Sequence, residues 1–259
     1  MKLTVDNITF GYNETTPVLK GVSFTYETPD VLCILGANGT GKSTLLRCIV
    51  GELNAQCGCA SVDGKAIKDY SAKSFACKVA YIPQTHTPTF AYSAIDIVAM
   101  GRTAHMGYFA SPSEDDIAHA QEQLEYLGIG HLRDQPYTEV SGGEQQLIII
   151  AAALAQDPEL LILDEPTAHL DFGNQYKFIQ LVERLREKGI GVLMTTHFPD
   201  HALALGGTTA ILSDGIIQHI GPAVKIVTSE SMSKLYDIEA HVLPIGDRRI
   251  CLPGKVHHA

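Results

Sequence analysis

The chain has 259 residues, enough for one large domain or two intimate subdomains around a sizeable core. Its composition, 45% hydrophobic and 19% charged, is that of an ordinary globular protein. A net charge of −10 argues against a general nucleic-acid binder, because neutralising phosphates needs a surplus of Lys and Arg, so no nucleic-acid partner is expected.

The longest apolar run, Leu147 to Ala155, is far short of the ~20 residues that span a bilayer. Met1 to Asp6 enters an alternating pattern without an Arg/Lys-led apolar leader, so a soluble, unexported protein is expected. The six cysteines have no C-x-x-C spacing and fit free thiols in a reducing compartment. Cys57-Gly58-Cys59 reads as a surface turn in preference to a metal or redox pair.

In chain order, Leu3, Val5, Ile8 and Phe10, then Val22, Phe24 and Tyr26, alternate as short strands joined through a Gly11-Tyr12-Asn13 turn. Tyr12 is either a plain turn tyrosine or a flat face on which an adenine stacks. The buried strand Val31 to Leu35 follows. It runs into Gly36-Ala37-Asn38-Gly39-Thr40-Gly41-Lys42-Ser43-Thr44, a full match to G-x-x-x-x-G-K-[ST], and then into the helix Leu45 to Val50. That strand, loop, helix order predicts a triphosphate cradle. Backbone N–H groups and the helix start face the phosphates, Lys42 bridges β and γ, and Ser43 ligates Mg²⁺.

Gly58 to Ile67 reads as a hairpin turning at Asp63-Gly64, and Val79 to Ile82 as a strand halted by Pro83 with Gln84 at its exit. From Thr85 to about Leu154 the period becomes helical. Ser113 with Asp116 starts a helix whose Ile117, Ala120, Leu124 and Leu127 face closes at Gly128. Leu160 to Leu163 is a second buried strand, ending in Asp164 and Glu165. A helix from about Gly173 to Lys188, a strand from Ile190 to Thr195 and then His197 come next. Thr209 to Leu212 and Ile216 to Ile220 form a hairpin at Asp214-Gly215. The expected fold is α/β, a mostly parallel sheet whose ligand sits at the carboxyl ends of its strands. The tail after about Thr228 is weakly patterned and carries no functional reading, and His257-His258 reads as a polar end.

Asp164 and Glu165, taken alone, are a solvated turn or an acidic pair that divides labour. Beside a phosphate loop the second applies: Asp164 holds the Mg²⁺ shell and Glu165 faces the γ-phosphate and its attacking water. His197 ends a strand of the same sheet and is either a structural histidine or one that reaches that phosphate. Ser141-Gly142-Gly143-Glu144 opens an apolar helix with small residues, a second anion site that two copies of the chain would share with the first.

This ordered set resembles the ATP-binding subunit of ATP-binding cassette proteins: Tyr12, Gly36 to Thr44, Gln84, Val140 to Glu144, Leu160 to Glu165, Ala168-His169-Leu170-Asp171 and His197. It spans nearly the whole chain. The resemblance implies a P-loop NTPase core (1–84 and 155–259) with an N-terminal antiparallel β subdomain and an inserted helical subdomain (85–154). It also implies a head-to-tail homodimer enclosing two Mg-ATP. By the same likeness Tyr12 stacks adenine, Gln84 watches Mg²⁺ and the attacking water, Glu165 is the catalytic base, Asp171 contacts the other subunit, and His197 clamps the γ-phosphate. Val140 and Glu144 stand where Leu and Gln are usual, Gln145 where Arg or Lys is frequent, and Ala152 where Arg is common.

Ala94 to Arg102, followed by His105-Met106-Gly107-Tyr108-Phe109 and Ser113-Glu114-Asp115-Asp116, resembles the importers of iron-siderophore complexes, haem and cobalamin, with molybdate importers close by. That likeness implies two integral-membrane permease subunits, an extracytoplasmic solute-binding protein, and a place on the cytoplasmic face of the inner membrane. Transport of another solute, in either direction, and a soluble cassette ATPase are the alternatives. The long coiled-coil insertion or paired cassettes expected of the soluble class are not evident in the sequence.

Overall fold

A computed structural model describes residues 1–13, 15–84, 92–107, 110–168 and 170–254. The expected positions Thr85, Tyr108, Phe109, His169, His257 and His258 lie outside the described residues.

The chain opens with β1 (Lys2–Phe10) and β2 (Leu19–Glu27), both alternating in burial and paired antiparallel. The fully buried β3 (Val31–Leu35) delivers the chain to α1 (Lys42–Ile49). β4 (Cys57–Val62) and β5 (Lys65–Ala66) then join β1, so the smaller sheet runs β2-β1-β4-β5. Cys57-Gly58-Cys59 is thus the exposed start of a strand and not a turn. Gly58 (φ +78°) lies against a bulge in β1, where a Cβ would sit 2.2 Å from the Asp6 carbonyl.

A short α2 (Ala72–Ala76) leads to β6 (Val79–Ile82). Three helices follow: α3 (Ala94–Met100), α4 (Glu114–Tyr126) and α5 (Gly142–Leu154). Each starts with a capping box, from Ser93 with Asp96, Ser113 with Asp116, and Ser141 with Glu144. Arg102, just after α3, ties the group together through Asp116 at 3.1 Å and Asp157 at 2.6 Å.

β7 (Leu160–Leu163), α6 (Phe172–Glu187), β8 (Gly191–Thr196) and α7 (Pro199–Leu205) complete the alternation. β9 (Thr208–Ser213) and β10 (Ile216–Pro222) form the expected hairpin. Among the described residues the larger sheet runs β10-β9-β3-β8-β7-β6, parallel except at β10. Its strands are apolar on both faces because α6 and the helical group cover one side while α1 and the small sheet cover the other.

The tail is ordered where the sequence showed little pattern. α8 (Ala223–Ile226) and α9 (Ser229–Tyr236) precede a hairpin of β11 (Ala240–Ile245) and β12 (Arg248–Pro253), which packs on α7. Its alternation is weak because its outward face carries Leu243, Ile245 and Leu252, all partly exposed. No described helix is long and apolar enough to cross a membrane.

Candidate active site

β3, β8, β7 and β6 are parallel neighbours, so the residues that leave their carboxyl ends share one rim. Gly36 follows β3, His197 follows β8, Asp164 and Glu165 follow β7, and Gln84 lies two residues beyond β6.

The loop between β3 and α1 closes tightly. Gly41 caps α1 at φ +97°, a conformation only glycine adopts readily, and no side chain serves the cap. The N–H groups of the first turn therefore remain available to a ligand. A Cβ on Gly36 would lie 2.8 Å from the Leu212 carbonyl. The buried Lys42 ammonium donates to the carbonyls of Gly36 (2.9 Å) and Ala37 (3.0 Å), which turns its charge toward the cradle. Asn38 and Gly39 are exposed, and Ala37, Thr40 and Ser43 half-buried.

Glu165 is the hub. Its carboxylate lies 2.9 Å from Lys42 Nζ, 3.1 Å from His197 Nδ1 and 3.4 Å from Gln84 Nε2. The residue itself sits in the left-handed region (φ +46°), which costs on the order of 1–3 kcal/mol for a residue with a side chain. Its N–H is held by Thr195 Oγ1 at 2.8 Å, and that hydroxyl donates to Asp164 Oδ1 at 2.6 Å. Thr195, which the sequence reading gave only as the end of a strand, thus fixes both acidic residues. The strain aims the Glu165 carboxylate back at the phosphate loop.

Tyr12 stands with an exposed ring, 64% accessible, its hydroxyl 3.3 Å from Thr44 Oγ1 and its ring perpendicular to that of Phe10. The exposed ring therefore stands beside the first turn of α1.

Behind the rim, His201 Nδ1 approaches Thr167 Oγ1 (3.3 Å) and Thr196 Oγ1 (3.4 Å). Burial, and secondarily the nearby His197, depress its pKa to about 4, so the ring is neutral at physiological pH. It links the segment after Glu165 to the segment before His197. The Thr195-Thr196 pair beside His197 was the only sequence signal for either role.

The second predicted anion site lies elsewhere on the surface. Ser141 and Gly142 are exposed at the start of α5, and Glu144 accepts both the N–H (2.9 Å) and the hydroxyl (2.6 Å) of Ser141. Those bonds hold its carboxyl below the usual range. Asp171 caps α6 through the N–H of Asn174 at 2.8 Å. A Cβ on Gly143 would meet Asn174 Nδ2 at 3.0 Å, so the two helix starts are neighbours. Among the described residues, no hydrogen bond or ion pair joins Ser141 to Glu144 with the phosphate loop. The described residues also hold no cluster of three or more His, Cys, Asp or Glu that would by itself cage a metal.

The family model for the ABC transporter family matches residues 19–168, from β2 to just past Glu165. The chain belongs to the ABC transporter family. The molybdate import ATP-binding protein MolC of Haemophilus influenzae is 35% identical, over 91% of this chain and 88% of its own length. The iron(3+)-hydroxamate import ATP-binding protein FhuC of Bacillus subtilis is 30% identical, over 96% and 94%. A solved transporter, assigned to the metal-chelate type and captured facing inward, matches with a TM-score of 0.86 and 32% identity over 98% of this chain and 97% of its own. This ABC chain is an ATP-binding, ATP-hydrolysing subunit with the P-loop NTPase fold, as the phosphate loop and parallel sheet implied.

Proposed function

We propose that two copies of this ABC ATPase hydrolyse Mg-ATP between them and power a membrane importer for a metal chelate (iron-siderophore, haem or cobalamin) or a molybdate-type oxyanion. The convergence of Lys42, His197 and Gln84 on the one carboxylate of Glu165 carries the catalytic part. Tyr12 stacks the adenine, and the N–H groups from Gly36 to Thr44 cradle the phosphates. A triphosphate in the loop competes with Glu165 for Lys42. That exchange leaves Glu165 to accept the proton of the attacking water, while Gln84 orients the water and His197 donates to the γ-phosphate.

The donors Ser43, Gln84 and Asp164 are all oxygen, which suits a hard cation that keeps several waters. Mg²⁺ held there would neutralise charge on the phosphates.

Ser141, Gly142, Gly143 and Glu144 of a second copy close over the γ-phosphate, with Asp171 touching the opposite loop. The apolar pair Phe172, 89% exposed, and Tyr176, 49% exposed, one turn apart beside Asp171, supports a covered face there. ATP closes the pair because its phosphates satisfy both helix starts at once, and hydrolysis removes the bridge.

For the permease, the chain offers a cleft of about 490 Å³ lined by Ala72, Lys73, Ala76, Met100, Thr103 and Met106. It suits a short permease helix with an apolar face, and the solute-binding protein acts from the far side of the membrane. The importer reading is supported by the two named import relatives and the metal-chelate neighbour. The test is to purify the tagged chain from gently solubilised membranes of its host and reconstitute what accompanies it. A polytopic partner that stimulates ATP hydrolysis in lipid vesicles, and loses that stimulation with Met100→Asp, is the expected result. A chain that stays in the soluble fraction without a membrane partner overturns the import reading and leaves the ATPase intact.

A further inference from the structure

The C-terminal unit α9–β11–β12 lies outside the matched family segment, and it grips the residues that carry His197 at two points. Tyr236, the last residue of α9, donates its hydroxyl to the His197 carbonyl at 2.7 Å. Three residues further on, Asp200 Oδ1 accepts the N–H of Cys251 from β12 at 2.8 Å. His197 lies in the two-residue link between β8 and α7 and Asp200 is the second residue of α7, so the contacts fall on that link and on the first turn of the helix it enters.

The unit is itself firmly seated. Met232 is fully buried, and Thr228 caps α9 through a reciprocal box with Ser231. The Ser229 hydroxyl accepts the N–H of Val242, and the Ser233 hydroxyl accepts that of Ala240, locking the hairpin to the helix. Burial, with Cys251 and Glu165 adding to it, pushes the Tyr236 phenol well above its usual range, so it remains a neutral donor. A carbonyl held in this way fixes the backbone from which the imidazole extends to Glu165.

We infer that Tyr236 is a positioning residue for ATP hydrolysis, which aligns His197 from the C-terminal unit and makes that unit part of the catalytic apparatus. The inference rests on the role proposed above for His197. Because the hydroxyl touches neither the phosphate loop nor Tyr12, its loss changes turnover and leaves nucleotide binding alone. Coupling through one backbone carbonyl also makes the effect conditional on the imidazole it aligns.

The experiment is a double-mutant cycle on the full-length chain, with Tyr236→Phe, His197→Ala and the pair, reading kcat and KM for ATP with thermal unfolding as a check on folding. Tyr236→Phe is expected to lower kcat about fivefold, the effect of one net hydrogen bond, with KM within about twofold. In the His197→Ala background the same change is expected to have no further effect. If His197→Ala alone retains wild-type kcat, the proposed role of His197 falls and the inference with it. If His197→Ala is impaired while Tyr236→Phe turns over normally, or if the two losses multiply, the inference alone is overturned. A Tyr236→Phe chain that unfolds more than a few degrees early is replaced by Asp200→Ala, which loosens the other grip. That variant must lower kcat without changing KM, and an unaltered kcat overturns the inference.

Discussion

Two helix starts meet solvent here, and they are finished in opposite ways. At α1 the cap is a bare glycine, and the lysine beside it turns inward to a carboxylate of its own chain. At α5 the serine and the glutamate three residues later close on each other, leaving Gly142 uncovered. The first corner gathers a cation, a carboxylate, an imidazole and an amide around one point within a single subunit. The second supplies small residues and an exposed backbone. On the function proposed above, chemistry belongs to one corner and gating to the other.

Acid should take the corners apart in order. His201, behind the first, is neutral in the fold with its pKa lowered to about 4 from 6.5, so between those values only the unfolded chain takes up the proton. Stability is fully present above pH 6.5 and falls by up to about 3 kcal/mol as pH drops toward 4, at 1.36 kcal/mol per unit. Denaturant titrations across that window should show the slope, and His201→Leu should flatten it; an unchanged slope refutes the assignment. Glu144, whose folded pKa is depressed, contributes stability above the ordinary carboxylate range and loses it only in stronger acid. Hydrogen exchange should accordingly loosen the segments around His201 before the start of α5.

Removing the cation sharpens the contrast further. Lys42→Ala should weaken ATP binding on the order of a hundredfold, since a buried charge-assisted contact is lost. Calorimetric titration with a slowly hydrolysed analogue would reveal it, and unaltered affinity would end the cradle reading. Gly143→Val should do the reverse. Crowded against Asn174, it should cut turnover roughly tenfold by spoiling the shared face while a single subunit still binds nucleotide normally. Weaker binding to the monomer would show that the corners are not separable. The smallest effect is expected from Tyr12→Ala, about fivefold in KM for ATP with kcat retained, the worth of one stacking face.

The motif that defined the sequence reading was legible because its chemistry demands fixed residue types at fixed spacing. Gly36 to Thr44 matches its motif at every fixed position, and the buried strands ending at Leu35 and Leu163 were plain from unbroken apolar runs. Element ends shifted by one residue at α6 and β8, as expected where caps decide them. The sharing of Glu165 among three side chains was not legible, because contacts between residues 32 to 123 positions apart leave no periodic trace. Thr195 and His201 were hidden for a related reason: a buried hydroxyl or imidazole in an apolar strand or helix looks like core. The ordered tail escaped because α9 is short and the hairpin keeps apolar residues on both faces.

Association of the Glu165→Gln chain with and without ATP, followed by light scattering during size exclusion, tests most directly whether one corner reacts and the other gates. With hydrolysis lowered by a hundredfold or more while Lys42 and the second corner stay intact, ATP should double the mass, and ADP should not. A variant that stays monomeric at saturating ATP, or that turns over like the parent, would contradict the account.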